Sequence, residues 1–139
     1  MRAIVSLVMI GLVVSGAAVL ADTSEKEAAA ESAATIWLSM IDDGNYADSW
    51  TEAAAYFRNA IKQEQWVQSL QAVRQPLGKL VSRKVKSRSY ETSLPGAPDG
   101  EYVVIQFETS FENKEAAIET VTPMMEEDGE WRVSGYYIK

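Results

Sequence analysis

Acid–base chemistry in this protein would have to use carboxylates, tyrosines, lysines or arginines, because the 139-residue sequence contains neither cysteine nor histidine. This composition excludes Cys–His and Ser–His–Asp nucleophiles, a histidine base, disulfides and the usual zinc sites. Asp42, Asp43 and Asp48 are the best candidates for a general base or for cation ligands. Their spacing lacks the alternating ligands of an EF-hand loop, so turn and capping roles beside Gly44 are favoured. We therefore predict no catalytic residue, no metal ligand and no cofactor.

A second group of candidate residues is mostly aromatic. Rings this numerous in a small domain either line an apolar ligand pocket or fill the core, and we favour the core because aromatic side chains dominate core burial. The two roles are compatible, since a core and a cavity can share one lining. Arg74, near the predicted end of a helix, could hold a ligand carboxylate or interact with the helix C-terminus. The speculative cavity lining comprises Trp37, Tyr46, Trp50, Phe57, Trp66, Arg74 and Trp131.

Basic residues cluster in one segment. Five of the 13 lysines and arginines fall within ten positions, in a chain whose formal net charge is −7. The cluster is expected to be the protein's only extended positive surface. It is either an interaction patch for an anionic partner or a charged edge strand that blocks sheet-to-sheet aggregation. The net charge itself disfavours binding to nucleic acid or to anionic lipid. The speculative patch comprises Lys79, Arg83, Lys84, Lys86 and Arg88.

The N-terminus predicts export. Arg2 precedes an apolar run over residues 3–14, and Val19 and Ala21 suit the minus-three and minus-one positions of a signal-peptidase site. We expect a signal peptide over residues 1–21, cleavage before Asp22, a periplasmic location and no stable membrane insertion afterwards. An uncleaved anchor is the less favoured alternative, because the apolar run is short for a membrane span. Residues 22–139 then form a single domain.

The periodicity of the apolar residues changes from helical to extended along this domain. Ser24 and Glu27 form a capping box at the start of the first predicted helix, and Gly44 is a natural left-handed end for it. Pro76 ends the helical part, and strand-like alternation follows. The predicted helices cover residues 24–41, 46–61 and 63–73, and the predicted strands cover 79–91, 101–112, 115–126 and 130–139.

Helices followed by an antiparallel meander predict an α+β domain. We expect three N-terminal helices packed on a curved antiparallel sheet of about four strands, which would leave a cone with an open end. On the last strand, alternation predicts that one face carries Trp131, Val133, Gly135 and Tyr137.

A set of spaced segments carries a resemblance to a known family. The segments include YADSW at 46–50, VRQPLG at 73–78, LPGAPDGEY at 94–102, ETVT at 119–122 and the stretch 128–137, with further matches at Ala53, Ala54, Phe57, Trp66, Ser82 and Arg83. Together they resemble the bacterial domain of unknown function 4019 family over residues 33–139. The resemblance implies a nuclear transport factor 2-like (cystatin-like) α+β roll. That family has no established activity, so the resemblance brings no catalytic residues.

Two functions from different classes fit these observations. The first is a non-enzymatic periplasmic binding or protein-interaction module, whose partner is a periplasmic protein or a small apolar ligand. The alternative is a small-molecule isomerase or dehydratase that uses Asp and Tyr in the cone cavity. A lone carboxylate facing the cone beside a tyrosine hydroxyl would favour the enzyme, whereas a cone filled by Trp and Phe would favour the binding module.

Overall fold

The computed structural model describes the backbone of residues 16–139 and the side chains of residues 22–139. Most of the predicted signal peptide, residues 1–15, lies outside the described residues. The helices are α1 (Gly16–Asp42), α2 (Tyr46–Thr51), α3 (Ala55–Ala60) and α4 (Gln63–Val73), followed by a 3-10 turn at Gln75–Leu77. The strands are β1 (Leu80–Glu91), β2 (Tyr102–Phe111), β3 (Lys114–Met125) and β4 (Trp131–Ile138).

The four strands form one antiparallel sheet in the order β1-β2-β3-β4, and α1 contacts all four of them. The predicted α+β class is therefore confirmed. Within the described residues no helix is both long and apolar enough to cross a membrane.

Helix α1 packs on the sheet through one stripe of residues at three- and four-residue steps. The stripe consists of Ala30, Ala34, Trp37, Leu38 and Ile41, all buried. The helix already begins at Gly16, so Ser24 lies in its interior and the predicted capping box is wrong as a helix start. The predicted end is confirmed: Gly44 has φ 81°, in the left-handed region, and its N–H donates to the Ile41 carbonyl at 3.0 Å.

The second predicted helix is split in two. Ala54 is extended, with φ −61° and ψ 150°, and its N–H donates to the Val133 carbonyl of β4 at 2.8 Å. Ala53 and Ala54 are fully buried, and their small side chains let this stretch of backbone reach the sheet. Residues 16–139 therefore contain four α-helices where three were predicted, because one backbone donor bonds the sheet and not its own helix. Helix α4 matches the prediction at both ends.

The sheet buries one face against the helices. On β2 the inward positions are Val103, Ile105, Phe107, Thr109 and Phe111, which are all buried, as the alternation predicts. On β4 the alternation is broken: Thr122 pairs with Gly135 but its neighbour Pro123 pairs with Val133, so Ser134 is an extra residue. Beyond this bulge Tyr136 packs against the core and Tyr137 is 62% exposed, so the predicted position of Tyr137 beside Val133 is wrong.

Candidate functional site

Two carboxylates and a guanidinium meet between the helices and the sheet. Arg83 of β1 faces the helices because it lies opposite Thr109, and Glu119 of β3 does so because it lies opposite Phe107. Arg83 Nη1 and Nη2 donate to Asp42 Oδ2 at 2.7 Å and Oδ1 at 3.0 Å, while Arg83 Nε donates to Glu119 Oε1 at 2.7 Å. One planar guanidinium thus bridges the end of α1 to the third strand.

Glu119 is fully buried, with 0% of its surface exposed. Besides Arg83, its carboxylate accepts hydrogen bonds from Thr109 Oγ1 at 2.6 Å and from the hydroxyl of Tyr136. Burial, and then the adjacent Glu119 carboxylate, raise the pKa of Tyr136 far above its ordinary range, so its hydroxyl remains a donor. A charge removed from water is costly unless it is paired and hydrogen-bonded, and both oxygens of Glu119 meet that condition.

Arg74 supplies the second positive charge of the network and is only 3% exposed. Its Nη2 donates to Asp42 Oδ1 at 3.2 Å and its Nη1 donates to the Gly78 carbonyl at 2.6 Å. The guanidinium lies over the ring of Phe111 at 4.4 Å, and its Nε has no hydrogen-bond partner among the described residues. Two arginines therefore face two carboxylates, so the charges of this network balance.

The large rings pack on one another beside the network. Trp37 stacks on Trp66 with centroids 6.0 Å apart, and Phe57 meets Trp66 edge-on at 4.9 Å. Tyr136 meets Trp37 edge-on at 5.4 Å, which links the rings to the ion pairs. Both indole N–H groups bond Ser49: Trp37 Nε1 reaches its carbonyl at 2.7 Å and Trp66 Nε1 reaches its Oγ at 2.9 Å. These rings occupy the core between the helices and the sheet.

The remaining rings of the predicted lining pack against the same core from its edges. Tyr46, Trp50 and Trp131 are partly buried there, and Trp50 Nε1 donates to the Ile61 carbonyl at 2.8 Å. The predicted lining is thus brought together as a packed cluster, with Arg74 set apart beside Phe111.

An apolar cleft of about 270 Å³ opens between α4 and β4. Its walls are formed by Trp66, Ser69, Leu70, Val73, Tyr136, Tyr137 and Ile138. Val73 is 55% exposed and Tyr137 is 62% exposed, so two apolar side chains stand at its mouth. Of the predicted lining only Trp66 borders this cleft. Val73 and Tyr137 were not among the predicted lining residues; Tyr137 borders the cleft from β4, which is an edge strand of the sheet.

The five clustered basic side chains do not form one positive surface, which corrects the expectation of an extended positive face at this segment. Arg83 is half-buried in the network, and Arg88 pairs with two acids of α1, Glu27 at 3.3 Å and Glu31 at 3.3 Å. A second bulge, at Lys86, shifts the alternation of β1, so that Arg83 and Arg88 both face the helices although they are five positions apart. Lys84 lies on the opposite face and pairs with Glu108 at 3.1 Å, and Lys79 lies at the exposed start of the strand.

The three candidate aspartates have separate positions. Asp42 belongs to the network, Asp43 is exposed beyond the end of α1, and Asp48 lies in the first turn of α2, where negative charge suits the helix dipole. Within the described part of the chain, no group of three or more His, Cys, Asp or Glu side chains is arranged to hold a metal ion.

A surface groove of about 920 Å³ lies between the α2–α3 connection and the β3–β4 turn. Ion pairs and a hydrogen bond fix part of the acidic rim of this groove. Arg132 pairs with Glu126 at 2.9 Å and with Asp128 at 2.9 Å, and Glu126 Oε2 accepts the Ala55 N–H at 3.1 Å. These contacts attach the β3–β4 turn to the start of α3.

The fold and the site define a small α+β domain in which acidic and basic groups between the helices and the sheet neutralise one another. The chain belongs to the family described as Protein of unknown function (DUF4019), whose model matches residues 33–136. The match includes the whole network from Asp42 to Tyr136. No match to the chain was found among curated proteins or among solved structures.

Proposed function

We propose that this protein is an exported, non-enzymatic binding or protein-interaction module of the periplasm. One observation carries the non-enzymatic part: the half-buried carboxylate of Asp42 and the fully buried carboxylate of Glu119 already accept hydrogen bonds from internal donors, chiefly Arg83. A general base needs a free lone pair within reach of a substrate, and Glu119 is 0% exposed. The packed aromatic core supports the same reading. The resemblance, together with helices layered on an antiparallel sheet, supports a nuclear transport factor 2-like (cystatin-like) roll.

The proposal that the protein is exported is based on the sequence of residues 1–21. Cleavage before Asp22 would leave most of α1 on the domain, including the stripe that packs on the sheet. Lys26 would hold the new N-terminus, since its Nζ pairs with Asp22 at 3.4 Å and with Glu101 of the loop before β2 at 2.7 Å. The intact mass of the exported protein tests this: a chain that begins at Asp22 is expected, and a membrane-bound chain that retains Met1 would contradict it.

The α4–β4 cleft is the surface that we assign to binding, and its ligand is a small neutral apolar molecule or group. About 270 Å³ is close to the lower end of small-molecule pockets, and the walls are mostly aliphatic and aromatic. The ring of Trp66 forms part of the wall, so occupancy is expected to change indole fluorescence.

A titration with the neutral apolar dye Nile red tests this assignment. The exported protein should bind the dye with saturation, and Val73→Glu should abolish binding by placing a charge at the mouth of the cleft. Val81→Glu is the matched control, because Val81 is also exposed, at 63%, but lies on β1. The assignment is wrong if wild type fails to bind the dye or if the two variants bind it equally.

The enzymatic alternative has one observation in its favour, namely that Tyr136 donates a hydrogen bond to Glu119. A carboxylate beside a tyrosine hydroxyl is the pair that an isomerase or dehydratase needs. Glu119 is not a lone carboxylate, however, because Arg83 and Thr109 also bond it. Turnover of a carbonyl substrate that disappears in a folded Tyr136→Phe variant would establish this alternative and overturn the first proposal.

A further inference from the structure

We propose that a composite groove beside β4 binds a peptide segment of a partner protein, one that combines an apolar side chain with lysines or arginines. This inference goes beyond the proposed function, which assigns a small neutral ligand to a different surface: the composite groove shares no lining residue with the α4–β4 cleft. The composite groove consists of the groove of about 920 Å³ described above and an apolar pocket of about 260 Å³ between α1 and β4. Both parts border Glu52 and Arg132, so one extended segment can lie in the two of them.

The apolar pocket offers a site for an anchoring side chain. Its walls include Ile36 and Met40 of α1 and Trp131 and Val133 of β4. Ile36 is 62% exposed and lies outside the stripe by which α1 packs on the sheet, and Trp131 is half-buried at the edge of the core. Insertion of an apolar side chain of the partner would therefore remove apolar surface from water on both sides, which is the usual basis of an interface hot spot.

The larger groove has an adaptable floor between fixed walls. Met124 and Met125 border it and are half-buried. Methionine side chains are unbranched and fit partners of different shape, and methionine is enriched at protein interfaces. The Tyr56 hydroxyl donates to the Gly96 carbonyl at 3.0 Å, which joins α3 to the loop before β2. Walls that are held in place before binding lower the cost of ordering on association.

The charge on the composite groove is predominantly negative. Its two arginines are already engaged, since Arg58 Nε donates to the Ala53 carbonyl at 3.2 Å and Arg132 pairs with Glu126 and Asp128. The other carboxylates that border the groove are exposed, and no ion pair reaches them from the described residues. They belong to Glu52, Asp99, Glu127 and Glu130. These carboxylates complement ammonium or guanidinium groups beside the apolar anchor.

A peptide segment fits this arrangement better than a free cation or a small apolar molecule. Among the described residues no group of three acidic side chains is arranged to hold a metal ion. A small apolar molecule would fill the pocket of about 260 Å³ but would leave the carboxylates of the larger groove without partners. The larger groove, at about 920 Å³, is close to the upper end of small-molecule sites. A segment that carries both apolar and cationic side chains occupies the two parts together.

A fluorescence-anisotropy titration tests the proposal on protein purified from cells that express the whole chain. The probe is a fluorescein-labelled, amidated peptide of alternating leucine and lysine, and the comparison peptide has serine in place of every lysine. Wild type should bind the leucine–lysine peptide with saturation, and the affinity should fall as salt is added because exposed charges are then screened. The leucine–serine peptide should bind roughly tenfold more weakly or worse.

Two pairs of variants, each pair with the same change in net charge, locate the bound peptide. Glu52→Lys should raise the dissociation constant roughly tenfold or more, whereas Glu25→Lys, at an exposed position of α1 outside the groove, should raise it much less. Ile36→Lys should likewise weaken binding, because it places a cation at the apolar pocket. Val81→Lys is its control, since Val81 is 63% exposed but lies on β1.

Circular dichroism confirms that each variant is folded before it is titrated. Val73→Glu, which alters the mouth of the α4–β4 cleft, should bind the peptide like wild type. A wild type that does not bind the leucine–lysine peptide would overturn the proposal, as would a leucine–serine peptide that binds equally well. Equal losses within either pair of variants would also overturn it, because attraction to the net charge alone would then explain the binding. Loss of binding in Val73→Glu alone would place the peptide in the α4–β4 cleft instead.

Discussion

Arg83 and Glu119 are 36 positions apart in the sequence, and in the folded protein Arg83 Nε donates to Glu119 Oε1 over 2.7 Å. The contact crosses the sheet from the first strand to the third, and the same guanidinium continues to Asp42 at the end of α1. A single side chain therefore ties the helical layer to two strands. Because Glu119 is fully buried, loss of Arg83 leaves a buried charge without its cation, which is far more costly than the loss of a surface pair.

Arg83→Met should accordingly lower the free energy of unfolding by about 3–5 kcal/mol, since Glu119 would keep a buried charge without its cation. Lys84→Met is the matched control. Lys84 is the next residue, and its side chain is 77% exposed in a pair with Glu108. That variant should change the free energy by no more than about 0.5 kcal/mol. Urea denaturation measures both, and equal effects would show that the network contributes little to stability.

Stability should fall as the pH rises above about 10, the ordinary pKa of tyrosine. Burial and the Glu119 carboxylate raise the pKa of Tyr136 in the folded state. Between the unfolded and the folded pKa the unfolded chain releases a proton that the folded chain keeps. The contribution of Tyr136 to the free energy of unfolding is therefore fully present below pH 10 and declines above that pH by about 1.4 kcal/mol per pH unit.

Urea denaturation from pH 8 to pH 11 measures this slope. Tyr136→Phe should make it shallower, whereas Tyr137→Phe, at the neighbouring exposed position, should leave it as in wild type. Identical slopes for the two variants would mean that Tyr136 is not the titrating group.

Ser49→Ala should cost about 1–3 kcal/mol. Ser49 is fully buried; its Oγ accepts from Trp66 Nε1 at 2.9 Å and donates to the Tyr46 carbonyl at 2.6 Å, so truncation leaves an indole N–H unpaired in the core. Ser69→Ala is the control, because the Ser69 hydroxyl is exposed and bonds only the carbonyl of Gln65 within its own helix. Thermal unfolding compares the two, and a melting temperature for Ser49→Ala equal to that of Ser69→Ala would contradict the role assigned to the hydroxyl.

Much of the fold could be read from local pattern. Helix α4 and strand β2 were predicted because their apolar residues recur at regular steps. Pro76 marks the end of the helical part, and the Pro- and Gly-rich loop at 94–100 precedes β2. The errors occur where a distant backbone group competes with the local pattern. The α2–α3 break exists because the Ala54 N–H bonds Val133, a partner 79 positions away in the sequence.

The candidate site was predicted less well than the fold. The predicted aromatic residues pack on one core, because large apolar side chains are generally buried when the chain folds. The basic cluster was grouped by sequence spacing alone, and the bulge at Lys86 placed Arg83 and Arg88 on the helical side of β1. Nothing in the local sequence marks Glu119 as buried. Alternation along a strand divides its residues between two faces, but the pairing register is needed to decide which face packs on the helices.

The sequence by itself determined the α+β class, the order of helices and strands, and the absence of thiol and imidazole chemistry, because these follow from composition and from periods of a few residues. Only the tertiary structure decided that Arg83, Asp42 and Glu119 form one network between the helices and the sheet and that Tyr137 is exposed. The physical reason is that β-bulges reverse the facing of every residue beyond them. Their positions are set by cross-strand hydrogen bonds between segments far apart in the chain.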